Sequence, residues 1–346
     1  MVCPIWKDII IDLGEGESSL FYICDLESKN ILYTGRAYAR PGADTVTVKI
    51  NDILADMFPD PVLPDLEKTD TVQRDFSALS VTVQNASREE IGDYTVVRDW
   101  SYNYLWDVER DGACEPITGE IDPRQPLLFT DYFNGDITVQ LHHTDGTTTE
   151  VTVTADSSLD YVPGDFSRLD FDESFLIGYP GKAASLVVDL SGQDMDGVDE
   201  VIVGGRYHYK VVRECVRYCV FYMNSHGGWD SIICKGATVR TDKYDRNEYS
   251  KEYDNRKSVN RGTVNYLNDV EASWEFHTGW LHDEQAARMH NLTGTVSAYL
   301  YDLVDRVCMP LTIEDSSLQY RTYKGEGNSP VKFDFSGKLA AGMMRR

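Results

Sequence analysis

The sequence predicts a mainly β protein, with two or more β-sandwich or barrel-like domains and a few short helices. Three observations carry that prediction. Apolar and polar residues alternate with period two in one segment after another, helix-length apolar stripes are scarce, and the 346 residues include 21 Tyr and 6 Trp. Alternation and aromatic enrichment are the marks of half-buried strands. A hydrophobic content of 42% supplies enough packing residues for real cores and excludes a disordered chain.

Taken in order, the first alternating segment is 45–50, Thr-Val-Thr-Val-Lys-Ile. Asn51 then stands where it can cap a short helix from Asp52 to Phe58, which Pro59 and Pro61 end. Residues 58–75, with three prolines, read as a loop or linker. Alternation resumes at 79–83, 137–141 and 150–154. Between the last two, Asp145-Gly146 takes the positive φ values of a tight hairpin turn. The polar stretch 156–173 is expected to be irregular. Longer aromatic strands follow at 207–211, 215–223 and 229–238. Asp283 can cap a helix over Glu284 to Asn291, with Gly294 just beyond it. The expected layout is an acidic β-rich domain at 1–155, an acidic connecting segment with short strands at 156–205, and an aromatic β-rich assembly domain at 206–346 carrying one short helix near 283–292. Residues 21–37 and 221–237 echo one another as strand, polar turn and strand, which shared hairpin chemistry and duplication both explain.

The formal net charge is −24, and it is unevenly placed. Residues 1–200 hold 13 basic against 39 acidic side chains, and residues 201–346 hold 20 against 18. Such a balance opposes broad binding to nucleic-acid phosphates or to an anionic membrane, because each phosphate contact needs a local cation. Neither specific nucleic-acid binding nor membrane association is expected. The first residues lack a basic segment followed by an apolar one, so folding in a cytoplasm is expected. Seven cysteines, an odd number in a long chain, suit reduced thiols.

The sequence has no nucleophile elbow, phosphate-binding loop, dinucleotide fingerprint or zinc-protease motif, so no enzyme and no cofactor are expected. Gly14-Glu15-Gly16 and Gly325-Glu326-Gly327 place a carboxylate where a phosphate would require donors, and they read as turns. Two metal readings stand beside plainer ones. Cys215, Cys219, His226 and Cys234 are zinc-type ligands. However, Cys215 and Cys219 on one strand would lie about 13 Å apart, so buried thiols are the alternative. Asp194, Asp196 and Glu200 resemble a calcium loop bent at Gly197. Gly192 replaces its first carboxylate and Val203 its closing one, so an acidic turn is the alternative.

Trp229, Tyr244, Tyr249, Tyr253, Trp274 and Trp280 are the candidate platform, either for a ligand such as a sugar or for a subunit interface. Residues 240–261 mix both charge signs with tyrosines and carry few apolar residues. They are expected to form a solvated edge or an arm that orders against a neighbour.

The run Cys219-Val220-Phe221-Tyr222-Met223-Asn224-Ser225-His226-Gly227-Gly228-Trp229-Asp230-Ser231, then Trp274-Glu275-Phe276-His277-Thr278-Gly279-Trp280-Leu281-His282-Asp283-Glu284-Gln285, then Pro310-Leu311-Thr312-Ile313-Glu314-Asp315, resembles virion structural proteins of tailed phages and prophages of gut Bacteroidales. The resemblance covers about residues 205–335. It implies a tail, baseplate or neck subunit of the virion, forming a ring or tube with copies of itself and contacting other virion proteins. A carbohydrate-binding or adhesin-like β-sandwich module is the second expectation.

Overall fold

The computed structural model describes residues 2–5, 8–26, 28–58, 61, 63–67, 71–74, 78–97, 118–133, 137–153, 182–205, 207–214, 216–224, 228–250, 263–281, 289–314 and 331–339. The protein is mostly β, with antiparallel pairing predominant. It divides into two compact units: residues 1–212 with 223–230, and residues 213–222 with 231–346.

The first unit opens with β1 (Val2–Pro4), β2 (Ile10–Glu15), β3 (Ser18–Asp25), β4 (Ile31–Tyr38), β5 (Thr45–Lys49), α1 (Asn51–Met57), β6 (Thr71–Arg74), β7 (Ala78–Gln84) and β8 (Glu90–Val97). Five of these strands form a sheet in the order β1-β8-β7-β3-β4, and β2 pairs with β5. Alternation decides what each sheet buries. Phe21 and Ile23 of β3 and Val81 and Val83 of β7 share one core with Ile11 of β2, Val46 of β5 and Leu54 of α1.

The start of α1 corrects the expected cap. Ile50 holds the N-cap position without a side-chain hydrogen bond. Asn51 is buried instead. Its Oδ1 accepts from the Ile9 N–H at 2.7 Å, and its Nδ2 donates to the Ile5 carbonyl at 2.6 Å. The side chain thereby satisfies two buried backbone groups from a segment more than forty residues away.

The first unit continues with β9 (Thr118–Ile121), β10 (Leu127–Phe133), β11 (Ile137–His143), β12 (Thr148–Val153), β13 (Lys182–Val188), β14 (Val198–Val203) and β15 (Tyr207–Val211). One sheet runs β12-β11-β14-β15-β9 and another β10-β13-β6. The β11–β12 turn is the hairpin expected from Asp145-Gly146: Gly146 has φ +85°, and the His143 N–H donates to the Thr147 carbonyl at 2.9 Å. Val139, Leu141, Val201, Val203, Tyr207 and Tyr209 face one core with Leu127 and Val188.

These pairings bear on two stretches of the chain. β13 pairs with β10 and β6, and β14 pairs with β11 and β15, so the described part of 156–205 carries paired strands of two sheets. The stretch 58–75 likewise ends in β6, a paired strand. Backbone pairing across long sequence separations, invisible to local alternation, places both.

The second unit consists mainly of β16 (Tyr218–Met223), β17 (Trp229–Cys234), β18 (Val239–Ser250), β19 (Thr263–Leu281), α2 (Met289–Thr293), β20 (Ala298–Asp302), β21 (Val307–Ile313) and β22 (Val331–Leu339). All seven strands lie in one sheet, β17-β16-β20-β21-β22-β19-β18. Val220, Tyr222, Leu300, Trp274, Phe276 and Phe335 form its core with Met289 and Leu292 of α2. Gly294 follows α2 as expected, while 282–288, the rest of the expected helix, lie outside the described residues.

The two echoed segments are both hairpins, β3–β4 and β16–β17.

Candidate functional site

The candidate platform does not assemble into one surface. Trp229 and Trp274 are only 3% and 7% exposed, whereas Tyr244 and Trp280 are 55% and 60% exposed. Trp274 is a core ring, edge-on to Tyr218 at 5.5 Å and stacked on Phe276 at 6.1 Å. The Arg240 guanidinium lies 5.4 Å from its centroid. Its burial removes it from any ligand platform. The same holds for Trp229. Trp280 follows Gly279, whose φ of +72° accompanies a register shift in β19. The Tyr249 side chain and the whole of Tyr253 lie outside the described residues.

The zinc reading fails on strand geometry for the two ligands that are described. Cys234 packs in the core with Val220. Cys219 is the residue next to Val220 on β16 and therefore points to the other face of the sheet. Both thiols are buried and outside any disulfide, and burial pushes the Cys234 thiol far above its ordinary range. A raised thiol is a poor thiolate donor. The Cys308 thiol, half-buried, is pushed by burial up to about 11. Cys215 and His226 lie outside the described residues.

The calcium reading fails on partners. The Asp196 N–H donates to Asp194 Oδ1 at 3.1 Å, and the Val198 N–H donates to the Met195 carbonyl at 3.2 Å. Gly197, at φ +73°, bends the chain as an ordinary turn residue. Glu200 stands on β14 and reaches His208 on β15, with 2.9 Å between Glu200 Oε1 and His208 Nδ1. Among the described residues, no three carboxylate, imidazole or thiol groups come together in a way that could hold a metal ion.

No protein family, curated protein or solved structure matches the chain. Among the described residues, no helix is long and apolar enough to cross a membrane.

Two further features belong to the second unit, the second of them on the stretch 240–261 that was expected to form a solvated edge or an arm. At the β20–β21 turn, Asp302 is buried and accepts from the Val304 N–H at 2.9 Å, the Asp305 N–H at 3.2 Å and Arg217 Nε at 3.0 Å. Burial alone would raise its carboxyl, but the two backbone donors and the guanidinium outweigh it and hold the group below the ordinary carboxylate range.

The second feature is a ribbon. β18 and β19 pair from Val239↔Glu275 to Ser250↔Thr263, but among the described residues β22 reaches β19 only as far as Ser273. Nine residues of β18, from Asp242 to Ser250, therefore run on as a two-stranded ribbon, about 30 Å long at strand rise. A lone two-stranded ribbon is marginal in water and gains from a further strand.

Proposed function

We propose that the chain is a structural subunit of a phage virion, in the tail, baseplate or neck, and that its second unit joins copies into a ring or tube. The supporting observation is the β18–β19 ribbon, an edge that runs past its own sheet where a neighbouring subunit can complete it. The resemblance of residues 219–231, 274–285 and 310–315 to virion proteins supplies the particle. The near-neutral charge of residues 201–346 suits a surface that meets copies of itself, since self-repulsion there is small.

Electron microscopy of the purified full chain tests the reading. Rings or tubes are expected, along with their loss when residues 243–270 are replaced by a short turn. A chain that remains monomeric and fails to join partial virions overturns it. The carbohydrate-binding reading retains Trp280 and Tyr244 as its exposed aromatics among the described residues. It requires glycan binding that Trp280→Ala abolishes with the fold intact.

A further inference from the structure

β18 is the outermost strand of the seven-stranded sheet, and among the described residues nothing pairs with its outer side. Its sequence is Val239-Arg240-Thr241-Asp242-Lys243-Tyr244-Asp245-Arg246-Asn247-Glu248-Tyr249-Ser250. Two copies of one edge can pair antiparallel about a twofold axis perpendicular to the sheet. In an antiparallel strand, alternate residues turn both their N–H and C=O groups to the same side. The outward-facing residues therefore have the same parity on both copies, so the axis must pass through a residue and not between two.

That restriction leaves few registers, and charge separates them. With the axis on Lys243, Lys243 meets itself and Arg240 meets Arg246. With the axis on Asp245, Asp245 meets itself and Asp242 meets Glu248. Axes on Asp242 or Arg246 again set a like charge against itself, and one on Asn247 leaves most of the charges unmatched. Only with the axis on Tyr244 does every charged residue of the strand fall opposite its complement: Arg240 opposite Glu248, Asp242 opposite Arg246, and Lys243 opposite Asp245, each twice by symmetry. Val239 then stands opposite Tyr249, and Tyr244 opposite Tyr244. Like charges directly opposite destabilise a sheet and unlike charges stabilise it, so the Tyr244 register wins over every alternative.

The backbone is suited to this pairing. The β18–β19 register shifts between Asn247 and Glu248, where Asn247 pairs with Leu267 and Glu248 with Asn265. The extra residue, Tyr266, therefore sits on β19, and β18 keeps an unbroken alternation from end to end. Tyr244 and Arg240 are exposed.

We propose that β18 is a self-complementary edge through which two copies of this chain pair antiparallel about a twofold axis at Tyr244, joining their sheets into one. The interface is isologous and closes at two copies, so a ring would be built from such pairs through a second contact, and the pair itself does not depend on the virion reading. The occupant is a second copy because the charge pattern is palindromic. An unrelated acidic or basic strand would meet three charges of the wrong sign.

Charge reversal on the full-length protein tests the register, with mass measured in solution at about 100 μM and folding checked by circular dichroism. The wild type is expected to contain a twofold pair. D242R and R246D each set like charges opposite one another and weaken the pair by about tenfold or more. Mixing the two variants restores it, because one chain then carries arginine at both positions and faces aspartate at both positions of the other. A folding defect cannot produce rescue on mixing. In parallel, Tyr244→Cys is expected to give a disulfide-linked dimer, since directly opposite Cα atoms lie about 4.5–5.5 Å apart, within disulfide range; Thr241→Cys is not. A monomeric wild type, variants that pair as well as wild type, no rescue on mixing, or equal cross-linking at 241 and 244 each overturns the proposal. Rings that persist in D242R sink this twofold but leave the virion reading standing, and twofold pairs without rings do the reverse.

Discussion

Asp302 shows how one side chain can hold a turn together. Its carboxylate serves the Val304 and Asp305 N–H groups and the Arg217 guanidinium, while Arg306, at φ +54°, closes the same turn by donating its N–H to the Asp302 carbonyl. Arg217 is 56% exposed, so solvent screens the ion pair and the backbone bonds carry most of the stabilisation. Asp302→Ala is expected to cost about 2 kcal/mol at neutral pH. A carboxyl depressed in the native state contributes its stability in full above the unfolded value, about 3.9. The contribution is lost as pH falls through the native value. Denaturant titrations of wild type and variant should therefore converge in acid; parallel curves down to the lowest pH would refute the role. Neither Asp302 nor Asn51 was legible as a structural hub in the sequence. Their partners lie 85 residues away at Arg217, and 46 and 42 residues away at Ile5 and Ile9, and local composition says nothing about contacts at that separation.

At the level of elements, strands with strict alternation were legible. β5, β7, β11, β12 and β15 stand where period two places them, because a half-buried strand has to alternate. β13 was not legible, since Lys182-Ala183-Ala184-Ser185-Leu186-Val187-Val188 does not alternate and only its pairing with β10 and β6 identifies it. The β3–β4 hairpin carries a further constraint. Gly35 stands opposite Phe21, and a Cβ there would come within 2.5 Å of the Phe21 ring and 2.7 Å of the Tyr33 ring. Phe21 is almost fully buried and cannot swing aside into water. Gly35→Ala is accordingly expected to destabilise the first unit by about 2 kcal/mol, measured by denaturant unfolding. A neutral result would mean that the ring repacks at no cost.

Across the whole molecule, charge and packing divide the chain at nearly the same place. The acidic excess ends at about residue 200, and the first unit's main run ends at Val212. The candidate site was less legible than this division. Tryptophan content pointed to a platform, yet Trp229 and Trp274 went into the core because strand alternation turned them inward, leaving Trp280 exposed beside a register shift. The charge asymmetry has a measurable consequence. Salt screens self-repulsion, so raising ionic strength should increase amide-exchange protection in β7 and β11 while leaving β20 nearly unchanged. Equal gains in both units would show that net charge does not govern the stability of the first.

Tyr266, the extra residue on β19, gives the outer strand something close to a reading frame. An insertion tolerated on the inner strand leaves residues 239–250 in phase, whereas one added between Arg240 and Glu248 would turn every later residue to the opposite side of the ribbon. Lineages of this protein should therefore vary in length on the inner strand and hold the outer strand to a fixed count. Paired substitutions that exchange sign at 242 and 246 together would keep the message while rewriting its letters.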